Sequence, residues 1–247
     1  MRIRKASEPV GPPSQDARPL AVFRNFLLSV FLVPLSQVRS RHLSLYIEHL
    51  NYLLWVRSTF EVSRYHYSRE DLWRSVARTI QNSKAESWSE YELGVAFDYT
   101  TWWFMNEDLP QIFRWRGFDS FTGLPTEWRN LQAGAFSNDG ETPTIDDNRV
   151  TYVRGDVRDT FATETFDESP KLVFFDLDLY KPTLRSWELL EEHLGPGDIM
   201  VFDEAFDTGE RVVVENYVMR RFQVEPIGHT HSQLALRIRA RHYREVV

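Results

Sequence analysis

The feature that most constrains the fold is a series of short apolar runs that end at or near an acidic residue or a glycine. From residue 91 onward these runs alternate with stretches of helical periodicity, and the five candidates are SEYELGV, FRWRGFD, RVTYVRG, KLVFFDLD and DIMVFDE. Alternating strand and helix signals predict a parallel sheet with crossover helices. Ligands of open α/β sheets bind beyond the carboxyl ends of the strands, so the polar run ends predict one shared site.

The two ends of the chain predict other elements. The runs RFQVEPIGH and SQLALRIRA have no helical pattern between them, which predicts an antiparallel pair that completes the sheet. Near the amino terminus, Leu43, Ile47, Leu50 and Leu54 recur every three or four residues and predict an amphipathic helix over residues 40–57.

Three parts of the chain are predicted from these patterns. Residues 1–19 contain four prolines and few apolar side chains, so we expect disorder. Residues 20–85 are expected to be a helical segment that caps a site or joins copies of the chain into a homo-oligomer, with a second helical stripe over 72–80. Residues 86–247 form the predicted α/β domain, in which the long polar loop 128–148 is typical of a lid or substrate loop.

Composition excludes several classes of function. The chain has no cysteine, which excludes thiolate catalysis and thiolate metal sites and favours a cytoplasmic protein. Residues 1–70 carry ten Lys and Arg against five Asp and Glu, while the remainder is acidic and argues against a nucleic-acid partner. The run AVFRNFLLSVFLVPL is too short to span a bilayer and contains Arg24 and Asn25, so we expect no transmembrane segment.

Four carboxylates follow two of the predicted strands: Asp176, Asp178, Asp203 and Glu204. If their charges lay about 5 Å apart, each like-charge pair would cost roughly 3 kcal/mol at an effective dielectric near 20. Either some of them are protonated or a cation is present, and hard oxygen ligands suit Mg²⁺. The alternative is that Asp178 caps the following helix and Glu204 faces solvent.

The first two predicted strands end in groups suited to a nucleotide-like cofactor. Glu92 could accept a hydrogen bond from a ligand ammonium or hydroxyl, and Gly94 lets backbone approach a cofactor at the amino terminus of the next helix. Asp119 ends the second strand about 25 residues later, a position that suits binding of ribose hydroxyls.

Seven motifs in this order resemble one family. They are ELGVAFDYTT, GFDSFTGLP, GAFSNDGETP, RVTYVRGDVRDTF, FFDLDLYKPT, PGDIMVFDEAF and QLALRI. The likeness extends over about residues 91–238, and the motifs are similar to those of the macrocin O-methyltransferase family of class I S-adenosylmethionine-dependent methyltransferases. The resemblance implies a Rossmann-like, seven-stranded, mostly parallel sheet with the last strand antiparallel. It also implies methylation of a hydroxyl on a small molecule, often a sugar or natural product, usually with Mg²⁺.

The resemblance also implies site residues. The implied cofactor-binding residues are Glu92, Gly94, Asp98, Asp119, Ser120, Asp156, Val157 and Asp178. Asp176, Asp203 and Glu204 match the metal-binding positions, and Asp176 would act in catalysis by helping a metal to hold the substrate hydroxyl in line with the sulfonium methyl.

Two departures from the family pattern bear on activity. Asp98 replaces a glycine at the turn that faces the methionine end of the cofactor, so a non-catalytic binding or scaffold protein with a degenerate cofactor site is the alternative. Related catechol-type enzymes have a lysine base where this chain has Leu179. His229 and His231 are the candidate replacement bases, and the favoured alternative is that they are exposed loop histidines without a role.

Overall fold

The computed structural model describes residues 41–242, with side chains from residue 43 onward. The chain divides into two compact units, residues 1–47 and 48–247, and the sheet belongs to the second. The predicted tail 1–19 and most of the amino-terminal part of the predicted segment 20–85 lie outside the described residues.

A single seven-stranded sheet forms the centre of the second unit. Its strands are β1 (Trp88–Leu93), β2 (Ile112–Asp119), β3 (Val150–Arg154), β4 (Lys171–Phe175), β5 (Ile199–Phe202), β6 (Phe222–His229) and β7 (Leu234–Arg241). Their order is β3-β2-β1-β4-β5-β7-β6. Only β7 runs antiparallel to its neighbours β5 and β6, so the predicted fold class is confirmed.

In the described part of the chain two helices precede β1, and helices occupy four of the six connections between strands, as the alternating pattern predicts. They are α1 (Arg41–Thr59), α2 (Arg69–Gln81), α3 (Tyr99–Asn106), α4 (Val157–Thr160), α5 (Tyr180–Leu190), α6 (Thr208–Val213) and α7 (Met219–Arg221). Short 3₁₀ turns follow α4 and α5, and the π-helical turn Val214–Val218 joins α6 to α7. Between β2 and β3 the chain forms a long loop, residues 120–149, with no helix or strand.

Two apolar clusters lie on opposite faces of the sheet because successive side chains of a strand point to opposite sides. Tyr91 and Leu93 of β1 belong to the cluster that includes Trp187 of α5. Trp88 belongs to the other cluster, together with Trp73 of α2. The sheet is therefore covered on both faces, as a parallel sheet requires.

Helix α2 begins at a well-formed amino-terminal cap. The hydroxyl of Ser68 accepts a hydrogen bond from the amide of Asp71 at 3.1 Å, which satisfies one of the free N–H groups of the first turn. The side chains of the predicted stripe, among them Trp73 and Ile80, are buried. The cap also fixes the position of Arg69 at the start of the helix.

The prediction for α1, an amphipathic helix with Leu43, Ile47, Leu50 and Leu54 on its apolar face, is only partly correct. The helix is present, but Leu50 and Leu54 are each 56% exposed, while Tyr52 and Val56 are buried. Tyr52 contributes a polar anchor that leucine cannot supply, because its hydroxyl donates to the carbonyl of Gln233 at 2.7 Å. Within residues 41–242 we find no helix whose length and apolarity would let it cross a membrane.

Candidate functional site

A cavity of about 530 Å³ opens at the carboxyl ends of β1, β2, β4 and β5, the edge that the sequence pattern indicates. Its volume lies in the range of small-molecule and cofactor sites. The cavity is lined by Arg69, Gly94, Ala96, Phe118, Asp119, Ser120, Thr122, Gly123, Leu124, Pro125, Trp128, Phe136, Asp156, Val157, Arg158, Asp176, Leu177, Asp178, Pro182, Asp203 and Glu204.

Gly94 forms the first turn of the cavity and must be a glycine here. Its backbone has a φ of +92°, and a Cβ would lie 1.8 Å from the carbonyl oxygen of Asp176 on the adjacent strand. The glycine therefore lets β1 and β4 approach each other at the cavity floor, a reason that adds to the predicted one of cofactor approach.

Asp119 is hydrogen-bonded to the cavity backbone itself. One carboxylate oxygen accepts from the amides of Val95 and Ala96 at 2.8 and 2.9 Å, and the other accepts from the amide of Phe121 at 2.7 Å. Three backbone donors fix the carboxylate at the end of β2 and still leave acceptor capacity that faces the cavity. Asp119 thus shapes the turn after β1 as well as lining the cavity.

Asp156, Val157 and Ser120 line the same end of the cavity. Asp156 caps α4 by accepting from the amide of Arg158 at 2.9 Å, and its other oxygen pairs with the Arg158 guanidinium. The Ser120 hydroxyl accepts from the amide of Thr122 at 3.2 Å.

Glu92 and Asp98 do not line the cavity, unlike the other predicted cofactor-binding residues. Glu92 is buried on the α3 side of the sheet, where its carboxyl accepts from the hydroxyl of Thr101 and from the indole N–H of Trp115 at 3.0 Å. Burial raises the pKa of Glu92 to about 8, against the opposing effect of those two donors. Asp98 is half-buried and precedes α3, with a left-handed φ of 62°.

The four predicted acidic residues meet on the other side of the cavity, because β4 and β5 are adjacent. Burial, followed by the charges of Asp203 and Asp178, raises the pKa of Asp176 well above its usual value. Burial and Asp203 raise the pKa of Asp178 to about 7, and burial, Asp203 and Glu210 raise that of Glu204 to about 10. Without a cation, protons are the means by which this cluster lowers its charge.

Asp178 does not cap α5, so the structural alternative for that residue is wrong. The helix starts after Leu179, which has no capping side chain, and Asp178 instead has a left-handed φ of 60° at the cavity. Glu204 is only half-buried, but its Oε2 atom is enclosed and has no hydrogen-bond partner within the described residues.

Asp203 is held by two residues that the strand pattern does not reveal. The side-chain amide of Gln233 donates to one carboxylate oxygen, and the Arg69 guanidinium lies 3.8 Å from the other. Gln233 begins the QLALRI motif, so the sequence contained a signal for it. For Arg69 the sequence contained no signal beyond the position of this residue next to the Ser68 cap.

Glu210 is a further residue that sequence reasoning missed. It is fully buried on α6, and its two oxygens accept from the amides of Leu177 at 3.2 Å and Glu204 at 3.1 Å. These amides belong to the chain segments after β4 and β5, so one side chain joins the two acidic loops. Burial and the charge of Asp203 raise the pKa of Glu210 well above its usual value.

The four acidic side chains at the cavity, Asp176, Asp178, Asp203 and Glu204, are chemically suited to bind a divalent cation. All donors are hard oxygens, which Mg²⁺ prefers, and the unpaired Oε2 of Glu204 lacks a partner that a cation would supply. In the part of the chain that the structure describes, no three His, Asp or Glu side chains are arranged to hold a metal ion as they stand. Cation binding would therefore require these side chains to reorient.

Neither predicted base lines the cavity. His229 is buried beside β7, with its Nδ1 atom 2.7 Å from the hydroxyl of Ser63, and burial lowers its pKa. His231 is more exposed and lies near cavity residues: burial, His49 and Arg69 lower its pKa, while Asp203 opposes them.

Comparison with known proteins gives a fold but no sequence family. No family model and no curated protein sequence matches the chain. Among solved structures, the calicheamicin methyltransferase CalS11 is similar over 96% of this chain and 99% of its own, with a TM-score of 0.52 and 20% identity. The O-methyltransferase NovP matches 69% of this chain and 78% of its own, with a TM-score of 0.49 and 16% identity.

At 20% identity the CalS11 similarity describes architecture, and it agrees with the strand order and the reversed β7. The chain therefore has a seven-stranded Rossmann-like fold similar to that of the calicheamicin methyltransferase CalS11.

Proposed function

We propose that the protein is an S-adenosylmethionine-dependent O-methyltransferase that acts on a hydroxyl of a small molecule, a sugar or natural product, with the assistance of Mg²⁺. The observation that carries this proposal is the single cavity lined on one side by Asp119 and Asp156 and on the other by Asp176, Asp203 and Glu204. A methyl donor and an acceptor must meet in one space for direct transfer. The ordered sequence motifs, which resemble those of the macrocin O-methyltransferase family, support the same proposal.

In this proposal the β2 end of the cavity takes the donor. Asp119 keeps acceptor capacity for ribose hydroxyls, and Ser120, Asp156 and Val157 border the adenosine. Gly94 and Asp178 would border the methionine end. Glu92 acts from behind the cavity wall by binding Thr101 of α3, and Asp98 supplies only the backbone turn that precedes α3.

The acidic side of the cavity would hold the metal through Asp176, Asp203 and Glu204. When bound there, Mg²⁺ would lower the pKa of a substrate hydroxyl and neutralise part of the carboxylate charge. Gln233 and Arg69 orient Asp203, and Glu210 holds the backbone on either side of the cluster.

His231 is the proposed proton acceptor rather than His229. His229 is buried and in contact with Ser63, whereas His231 interacts electrostatically with Arg69 and Asp203 at the cavity. Replacing His231 with Gln should lower kcat and remove the acid limb of the pH–rate profile, while replacing His229 with Gln should change stability more than that profile.

Two measurements test the proposed function: binding of the methyl donor and turnover of an acceptor. Calorimetry with S-adenosylmethionine should give one site per chain, and a panel of hydroxylated sugars and phenols should be screened for formation of S-adenosylhomocysteine with and without Mg²⁺. Undisturbed donor binding in Asp119→Asn would overturn the ribose assignment. Donor binding without any turnover in the panel would favour the scaffold alternative.

The scaffold alternative depends on Asp98. Its side chain is absent from the cavity lining, so it does not obstruct the donor site. We therefore favour the enzyme, and Asp98→Gly discriminates between the two functions.

A further inference from the structure

Asp207 is the meeting point of several contacts just after the acidic cluster. Its Oδ1 atom caps α6 by accepting from the amide of Gly209 at 2.9 Å. Its Oδ2 atom accepts from Nε of Arg129 at 3.0 Å and from the indole N–H of Trp128 at 3.2 Å. A single carboxylate thus joins the start of α6 to two consecutive residues of the long loop.

Arg129 is held from three sides. Its Nη2 atom lies 2.8 Å from Asp207 and 2.8 Å from Glu48 of α1. The guanidinium also lies 4.5 Å from the ring centroid of Phe206, which is a cation–π contact. Arg129 has a φ of 55°, a conformation that an arginine adopts only when its surroundings enforce it.

These contacts lie directly behind the wall of the cavity. Trp128 lines the cavity, as do residues 122–125 and Phe136 of the same loop. Between Asp119 and Val150 the loop has no helix or strand, and its backbone hydrogen bonds, such as those between Trp128 and Leu131, mostly join loop residues to one another. Its position against the rest of the domain therefore depends on side-chain contacts, and the group formed by Asp207, Arg129 and Glu48 is the most highly charged of these.

We propose that Asp207 is a positioning residue: by binding Arg129 and Trp128 together, it holds the loop wall of the cavity in place so that ligands remain enclosed. This inference depends on the proposed function only for the identity of the ligand that the cavity encloses. The anchor itself is a property of the chain and can be tested without any ligand.

Limited proteolysis tests the anchor, because trypsin cleaves after arginine and the bond between Arg129 and Asn130 lies in the anchored segment. Asp207→Asn keeps a good helix cap but removes the charge that binds Arg129. We expect cleavage after Arg129 to become about tenfold faster than in the wild type, as the loss of hydrogen bonds to a charged group implies. An unchanged cleavage rate in a folded Asp207→Asn protein would overturn the proposal.

Asp147→Asn is the matched control, because Asp147 forms a similar ion pair with Arg149, 2.6 Å apart, in the same loop but outside the cavity lining. It should leave cleavage after Arg129 unchanged. If Asp207→Asn fails to fold, Glu48→Gln decides instead, since it removes the second carboxylate from Arg129 and should speed cleavage by about threefold. Equal cleavage in Glu48→Gln and the wild type would then count against the anchor.

A ligand readout separates a positioning role from a general loss of stability. Added salt screens partly exposed ion pairs, so cleavage of the wild type should rise with ionic strength more steeply than that of Asp207→Asn, in which only Glu48 still pairs with Arg129, at an unchanged melting temperature. In stopped-flow fluorescence, S-adenosylhomocysteine should leave Asp207→Asn about fivefold faster than the wild type or Asp147→Asn. If the wild type binds no S-adenosylhomocysteine, the proposed function fails but the proteolysis result stands; identical dissociation rates in the three proteins would refute the enclosing role.

Discussion

Residues with left-handed backbone are concentrated around the cavity. Ala96, Phe121, Phe136 and Asp178 all have a positive φ between 48° and 64° and lie in segments that form its walls. Such a conformation costs an L-residue about 1–2 kcal/mol, so the surrounding packing must enforce it. This distribution agrees with a site whose shape is maintained at some cost in stability.

Replacing Asp98 is the most informative test of the free-energy cost of left-handed backbone. Its φ of 62° suits glycine, and its side chain does not line the cavity. We predict that Asp98→Gly changes the free energy of unfolding by less than about 1 kcal/mol, because relief of strain is offset by the greater entropy of unfolded glycine. Calorimetry should show donor affinity within about threefold of the wild type. A gain of about tenfold or more would indicate a degenerate site instead.

Glu90 is predicted to destabilise the protein at neutral pH. It is fully buried on β1, neither oxygen has a hydrogen-bond partner within the described residues, and burial, followed by the charge of Glu92, raises its pKa well above the usual value. The contribution of Glu90 to the free energy of unfolding is fully present below the unfolded pKa of about 4.3, where the carboxyl is neutral in both states. It is lost, by up to about 1.4 kcal/mol per pH unit, as the pH rises towards the folded pKa, because the group then ionises in the unfolded chain only.

Urea unfolding of Glu90→Gln checks this prediction. The variant should be as stable as the wild type near about pH 4 and more stable by about 1–3 kcal/mol near pH 8. The exposed control Glu168→Gln should show no such pH-dependent difference. A constant difference between Glu90→Gln and the wild type at all pH values would contradict the prediction.

At the residue scale the sequence identified the acidic residues at the strand ends but not the direction in which each side chain points. Asp119, Asp176, Asp203 and Glu204 line the cavity, because carboxyl ends of parallel strands converge at one edge. Glu92 points the other way, to the side of Trp115. Side-chain alternation along β1 contains that information, whereas hydrogen bonds from distant backbone amides, such as those to Asp119, depend on tertiary structure.

At the scale of elements, α6 is short but connects the two acidic loops. The carboxyl group of Glu210 accepts from the amides of Leu177 and Glu204, so its removal leaves two partly buried N–H groups without this partner. We predict that Glu210→Ala lowers the free energy of unfolding by about 2–4 kcal/mol. Hydrogen exchange should become faster at these two amides before it does in the strands, and unchanged protection there would contradict the assigned contacts.

The alternating strand and helix patterns predicted a parallel sheet with crossover helices, and the missing helix pattern between the last two runs predicted their antiparallel pairing, because those patterns are local. The burial of α1 was less predictable: Tyr52 and Val56, rather than Leu50 and Leu54, face the core. Apolar side chains on two sides of a helix leave its orientation undetermined until its partners are known. The long loop after β2 gave no periodic signal, so its anchoring at Asp207 required the structure.

At the scale of the whole molecule, the cavity collects more carboxylates than cations, which predicts stabilisation by a divalent ion. Magnesium at about a hundred times its Kd should add about 2.7 kcal/mol to the free energy of unfolding, measurable as a rise in melting temperature. Asp203→Asn and Glu204→Gln should abolish the rise, and Glu168→Gln should retain it. An equal rise in all four proteins would place the ion elsewhere.

Calorimetric titration with S-adenosylhomocysteine measures whether this cavity binds the methyl donor. We expect one site per chain in the wild type and in Glu168→Gln. In Asp119→Asn we expect the affinity to be lower by about tenfold or more, because the remaining acceptor capacity of that carboxylate is lost to the ribose. Absence of binding in the wild type, or equal affinity in all three proteins, would contradict donor binding in this cavity.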